Sequence, residues 1–245
     1  MIRYKITLEY HGRAFVGWQR QVNGLSVQQV VEEAIEKFSG ETVVTHVAGR
    51  TDAGVHATGQ VCHFDLVKET DIDTVRDALN FHIKPHPVSV IVAESVGKDF
   101  HARLSATQKV YVYKITNRRA PLAVEQGLSW WVSQELDTDA MSAAAQILVG
   151  RHDFSTFRAA GCQANSPIRT LDHLTVERKE NLVLICACAR SFLYHQVRNL
   201  AGTLKLVGET KWNSNDVEKA LIAKNRAEGG PTAPPEGLYL TKVVY

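Results

Sequence analysis

The segment Gly49-Arg50-Thr51-Asp52-Ala53-Gly54-Val55-His56-Ala57 holds the residues best suited by type and spacing to chemistry. Two glycines bracket one carboxylate, and an arginine precedes it by two positions. Glycine admits backbone conformations closed to other residues and lets a substrate approach closely. A guanidinium beside a carboxylate keeps it ionised and aims it. An ionised, oriented aspartate can serve as a nucleophile or a general base. The same pattern also suits an Asx-turn in which Asp52 caps its own loop. Among the other reactive types, His56, His63 and His195 have no partners at metal-ligand spacing and are expected to be hydrogen-bonded or to line a cleft. Cys186 and Cys188 stand as C-x-C in an apolar run, with no second pair to complete a zinc pattern.

Other function classes fall away on composition. Hydrophobic residues make up 44% and charged residues 22% of 245 positions, ordinary for a globular chain. That length buries enough surface to stand without disulfides or metal staples. Four cysteines and no signal peptide imply a reduced, cytoplasmic protein. No apolar stretch approaches a membrane span. The net charge of +2 is uneven. Residues 1–100 carry 10 Lys and Arg against 13 Asp and Glu, while residues 101–245 carry 18 against 13. Arg103, Lys109, Lys114, Arg118 and Arg119 form one basic focus without an acid. Arg151, Arg158 and Arg169 form another, opposed only by Asp153. Such foci suit a polyanion on one face, or a plain solvated surface.

The elements that must position these residues follow from periodicity. Ile2–Tyr10 alternates apolar and polar, the mark of a half-exposed antiparallel strand. Ser26 with Gln29 predicts a capping box opening a helix that Gly40 closes. Strands are expected at Val43–Val47, Gln60–Leu66 and Val88–Ala93, with a helix over Asp71–Ile83. In the second half strands are expected at Lys109–Thr116, Leu171–Arg178, Leu182–Ala189 and Leu238–Val244. Helices are expected after Asp137, from near Phe192, and from a Ser214 cap to about Lys224. Tyr111 shares a strand face with Tyr113 and Ile115, and Arg198 borders an apolar helix stripe. A packed sheet residue is the default reading of Tyr111, and a snorkelling surface arginine that of Arg198. Trp18 suits RNA stacking or a buried anchor. The pattern predicts an α+β chain with helices on one face of a largely antiparallel sheet. It divides into two similar lobes, 1–105 and 106–245, that share the sheet and border a cleft.

Gly49–Phe64 (GRTDAGVHATGQVCHF) resembles the signature of the TruA-type tRNA pseudouridine synthases. Tyr10–Gln21 (YHGRAFVGWQRQ), Phe100–Tyr113 (FHARLSATQKVYVY), Leu148–Arg158 (LVGRHDFSTFR), Phe192–Gly202 (FLYHQVRNLAG) and Glu236–Leu240 (EGLYL) resemble its other motifs in the same order. The resemblance implies the pseudouridine synthase fold and a catalytic cleft between the lobes. It implies isomerisation of uridine to pseudouridine at positions 38 to 40 of the tRNA anticodon arm, without cofactor or metal. It makes Asp52 the catalytic aspartate, acting by attack on C1′ or by removing a ribose proton. Arg50 and Arg198 become its arginine neighbours, and Tyr111 the aromatic platform for the target base. It assigns tRNA contacts to Phe100, His101, Ala102, Arg103 and Leu104, to Arg158, and to Gly161, Cys162, Gln163, Ala164 and Asn165. It also implies a homodimer with each tRNA touching both subunits. The chain departs from the usual pattern at His11, Ser191 and Gln196, around Asn165, and between Ile83 and Val90.

Two other functions bear on the same residues. An RNA-binding module or tRNA chaperone without chemistry would dispense with Asp52, yet the full motif stands intact. A hydrolase built on Asp52 and a histidine would need a metal cluster or a nucleophile–His–acid arrangement, which the spacing does not offer.

Overall fold

Strict alternation makes Ile2–Tyr10 the first strand, β1, in the computed structural model, which describes residues 1–245. Tyr4, Ile6, Leu8 and Tyr10 are buried, and the residues between them are more exposed. The chain forms two compact units, Met1–Thr107 with Tyr239–Tyr245, and Gln108–Leu238. The division expected near residue 105 stands beside one at Thr107, with the closing strand counted in the first unit. Both units place helices against mostly antiparallel strands, as an α+β chain should.

In the first unit the strands are β1, β2 (His46–Val47), β3 (His56–Leu66), β4 (Val88–Val96) and, from the end of the chain, Leu238–Val244, numbered β10 below. β1 lies between β3 and β4, antiparallel to both. Tyr239 and Leu240 of β10 pair with His56 and Ala57 in parallel. Two helices, α1 (Val27–Ser39) and α2 (Ile72–Ile83), pack on each other, and α2 packs on β4. Gly40 closes α1 in the left-handed conformation. The capping box is half formed. Ser26 accepts from the Gln29 N–H, but the Gln29 side chain donates to Glu33 instead of returning to the cap.

Several strand boundaries differ from expectation, two of them with a visible cause. The strand expected over Val43–Val47 shrinks to His46–Val47, because Glu32 of α1 accepts the Thr45 N–H that a ladder would have used, along with the Thr45 hydroxyl. β3 begins earlier than Gln60, because β10 pairs with His56 and Ala57.

The second unit contains β5 (Gln108–Asn117), β6 (Trp130–Val132), β7 (Gly150–Asp153), β8 (Ile168–Lys179) and β9 (Leu182–Ala189). The order β5-β9-β8-β7 is antiparallel throughout, with β6 added in parallel to β5. α3 (Thr138–Ile147) packs on β8, α4 (Gln196–Gly208) on β5, and α5 (Ser214–Ala223) on α3. This half therefore holds the three α-helices expected of it. β6 and β7 were not legible in the sequence, and Gly150 opens β7 at φ 108°. Asp137 caps α3 as expected. The cap of α5 is Asn213, one residue before Ser214, in a full capping box with Asp216. α4 starts at Gln196 rather than near Phe192, because His195 adopts a left-handed conformation (φ 59°) that ends any continuous helix there.

α4 is pinned by a close approach. Its residue Gly202 lies under the Pro231 carbonyl, which a Cβ at that position would strike. Asn199 holds the same region through Nδ2 to the Phe157 carbonyl and Oδ1 to Thr232 and Arg226. Gly202→Ala should destabilise the protein by about 1–3 kcal/mol, read as a lower denaturant midpoint with unchanged slope.

Candidate active site

Asp52 sits in the loop between β2 and β3, where no strand ladder holds it. A second loop, Gly12 to Gly24, supplies the support. Trp18 donates its N–H to the Thr51 carbonyl at 3.0 Å, and Gly17 bridges Asp52 in antiparallel fashion. Gly17 adopts φ 114°, and a Cβ there would stand 2.6 Å from the Thr51 carbonyl, so only glycine fits. Gly12 passes so close to the Val55 carbonyl that any side chain would collide with it. The supporting loop is itself tied to α1. The N–H groups of Val27 and Gln28, which an α-helix leaves unpaired at its start, donate to the Gly17 and Trp18 carbonyls. Trp18 is 1% exposed and packs on Tyr10, which makes it the buried anchor of the two roles open to it.

Beneath the loop lies a buried polar network. The Tyr10 hydroxyl bonds Thr51 Oγ1 at 2.8 Å, and Gln60 Nε2 donates to Tyr10 Oη and to the Gly49 carbonyl. Burial pushes the Tyr10 phenol up to about 12, so it stays protonated and serves as scaffold. Residues 49 and 51, on both sides of Arg50, are thereby fixed. Within the loop, Val55 donates to the Asp52 carbonyl at 3.1 Å, closing the turn. His56 Nδ1 accepts from Gly12, while its ring stacks on Tyr239 and meets His11 edge-on. His11, the departure in the first motif, is thus a packing partner for His56.

The second unit assembles Tyr111, Arg198 and the Arg158 loop. Tyr111 of β5 is 8% exposed and meets Phe192 edge-on at 5.1 Å. Phe192–His195 forms the turn before α4, closed by Gln196, whose N–H donates to Leu193 and whose Oε1 accepts from it. Arg198 Nε donates to the Ala233 carbonyl at 2.7 Å, and Nη1 meets His195 Nε2 at 3.1 Å. Burial, then Arg198 and Arg226, hold His195 down to about 4, so it faces Arg198 as a neutral acceptor. Ala159, next to Arg158, donates to the Tyr194 carbonyl, which ties the Arg158 loop to the same turn. Gly161, Gln163 and Asn165 are exposed in that loop, while Cys162 and Ala164 are half-buried.

Phe100–Leu104 lies in the first unit as a tight turn. Arg3 clamps its start, donating to the Lys98 and Phe100 carbonyls while forming a two-pronged pair with Asp65. Ala102 is fully buried with Ala48 and Val61, so Arg103 and Leu104 are the positions open to solvent. His46, His63 and His101 stand together, His46 stacked on His63 and His101 edge-on to His63 and tilted to His46, and they form no metal-holding group.

The first unit thus holds a fixed aspartate loop and an exposed Arg103 on a built turn, and the second a buried tyrosine set against Phe192. A family model described as tRNA pseudouridine synthase matches residues 6–105 and 144–245. The chain belongs to the tRNA pseudouridine synthase family. It is 58% identical over 245 residues, all of this chain and 96% of the relative, to the tRNA pseudouridine synthase A of Paramagnetospirillum magneticum. It is 59% identical over the full length of both chains to that of Rhodospirillum centenum. It is 55% identical, again over the full length of both, to that of Parvibaculum lavamentivorans. Family membership agrees with the resemblance read from the ordered motifs.

Sequence reasoning missed the residues that hold the site. Gln60 is a fully buried amide in a strand otherwise read as apolar, and Asn199 is a buried amide within the apolar stripe of α4. A lone polar residue at a core position of a periodic element is the signal that could have found both.

His63 and His195 give the fold an acid limit. Burial, then Arg3, His46 and His101, hold His63 down to about 4, with Asp65 opposing. Both imidazoles take up protons near 6.5 when the chain unfolds. The unfolded state therefore binds more protons, and stability is lost as pH falls from about 6.5 to about 4. The urea midpoint should drop across that window, and less steeply in His63→Asn.

Proposed function

We propose that this chain converts uridine to pseudouridine at positions 38, 39 and 40 of the tRNA anticodon arm, with Asp52 acting at the ribose and no cofactor. The Arg50–Asp52 loop carries the proposal. It presents a carboxylate on a rigid backbone in a chain whose family is that of tRNA pseudouridine synthases. The reaction breaks N1–C1′, turns the uracil and forms C5–C1′. A proton leaves C5 and one returns to N1. No electrons enter or leave, so the balance needs no oxidant, reductant or second substrate.

An anionic oxygen at the ribose serves both attack on C1′ and removal of a ribose proton, so Asp52 must be ionised and aimed. Arg50 and Arg198 supply the positive charge that favours the ionised form. The target base cannot turn inside the stack and has to be extruded, at a cost of a few kcal/mol. Tyr111, its ring plane fixed by Phe192, offers a sequence-tolerant face for the extruded base. Arg50 fills the space the nucleotide leaves. Arg103, Arg158 and the exposed residues of the 161–165 loop contact backbone and sugar, giving affinity and salt dependence more than base choice. The active form is a homodimer that works in the cytoplasm, with the two basic faces of a nearly neutral chain bordering each tRNA.

The test is incubation with unmodified tRNA in EDTA, followed by mapping of pseudouridine. Asp52→Asn should lower turnover at least a thousandfold, ~4 kcal/mol of barrier, with tRNA still bound. A variant keeping a tenth of the activity would remove Asp52 from the chemistry.

Tyr111 separates two roles. Tyr111→Phe keeps the ring, and Tyr111→Leu removes it. If the ring holds the base, Phe should outperform Leu clearly in base-flipping fluorescence from a 2-aminopurine neighbour. If the hydroxyl also moves the C5 proton, tritium release from C5 should stall in both variants. Wild-type rates in Tyr111→Leu would return the residue to the core.

A further inference from the structure

The turn His101–Ser105 uses up its own backbone donors. The Arg103 and Leu104 N–H groups both donate to His101 Nδ1, at 3.1 and 3.3 Å. The Ala102 N–H donates to His63 Nδ1 at 3.1 Å. His101 N–H goes to the Ser105 hydroxyl, and Ser105 N–H returns to the His101 carbonyl. The Ala102 carbonyl accepts from the Tyr245 hydroxyl at 2.9 Å. Every backbone N–H from His101 to Ser105 is thus engaged, and a phosphate can take one only by displacing one of these bonds. What the turn offers outward is the Arg103 side chain.

His101 therefore does what an asparagine or aspartate does at a helix N-cap, accepting from the N–H groups two and three residues on. Asparagine and aspartate are the usual choices because their Oδ1 lies at this reach. An imidazole does it only while Nδ1 carries no proton, and His63 is bound by the same condition. The neighbours favour that state. Burial is the largest cause; Arg3 adds positive charge near both rings and Arg103 near His101, and Asp65, the nearby carboxylate, is occupied by Arg3.

We infer that His101 and His63 are positioning residues for tRNA binding, acting as paired Nδ1 acceptors that fold the Ala102–Leu104 turn and so aim Arg103 at the tRNA backbone. This rests on the proposal that the turn meets tRNA. It adds that His101 acts through Arg103 and touches no RNA atom through its own polar group.

The chemistry of the acceptor gives the test. Asn Oδ1 stands where imidazole Nδ1 stands, whereas Gln Oε1 matches Nε2. His101→Asn should bind tRNA within about twofold of wild type, and His101→Gln and His101→Ala should bind at least fivefold more weakly. Turnover at saturating tRNA should stay within about twofold in all three, placing the effect in binding. Arg103→Ala should weaken binding by a similar factor and lower the salt slope by about one. Adding His101→Gln to Arg103→Ala should cost little more, because the two act in series. Nitrogen-15 spectra should show Nδ1 of His63 and His101 unprotonated at neutral pH. If Arg103→Ala binds normally, the turn does not meet tRNA and the parent proposal for this segment fails. If Arg103→Ala weakens binding while His101→Gln does not, or the two losses multiply in full, the positioning role is overturned and the RNA contact stands.

Discussion

The site depends on one loop being held by another through their backbones. Asp52 has no ladder beneath it, and the carbonyl of its neighbour Thr51 is secured by the Trp18 N–H. That approach exists because Gly12 and Gly17 carry no side chain where the loops meet. The start of α1 completes the chain of support, donating its spare N–H groups to the supporting loop. A helix end that needs acceptors and the Asp52 loop that needs a donor are thus satisfied through the same few residues. Movement of α1 would be transmitted to Thr51 through two peptide groups, without any side chain in between.

The second theme is neutrality maintained among cations. His63, His101 and His195 each accept a hydrogen bond or face a guanidinium, and each is held below its ordinary range with burial as the largest cause. A chain that binds a polyanion gathers arginines, and nearby imidazoles can then remain acceptors at neutral pH. Positive charge in this protein therefore works in two directions. Some of it faces outward, as at Arg103, and some fixes the protonation state of the residues that build the turns.

Local rules made much of this legible. Alternation located β1, Ser26 and Gly40 bounded α1, and Asp137 capped α3, because each signal and its partner lie within a few residues. The Asp52 motif was legible for the same reason, being contiguous. What was illegible depends on distant partners. Glu32 withdraws Thr45 from a ladder, and β10 lengthens β3 from the far end of the chain. Leu193 carries the period of α4, yet His195 takes a left-handed conformation that no apolar pattern encodes. Gln60 reaches Tyr10 across fifty positions, and His63 reaches Ala102 across thirty-nine. Contiguous motifs marked the candidate residues, while the residues that hold them were visible only once the chain had folded.

The return of β10 has a consequence for how the protein is made. Tyr239 and Leu240 pair with β3, Thr107 donates to the Val244 carbonyl, and Tyr245 secures Ala102. These residues leave the ribosome only after the whole of Gln108–Leu238 has been synthesised. At translation speeds of about 5–20 residues per second, the first unit waits on the order of ten seconds with one strand of its sheet missing. During that interval β3 presents an unfilled edge at His56 and Ala57, beside the Asp52 loop. The nascent chain therefore carries its Asp52 motif well before it carries the strand that pairs beside it, and synthesis of β10 decides when the aspartate loop is fully framed.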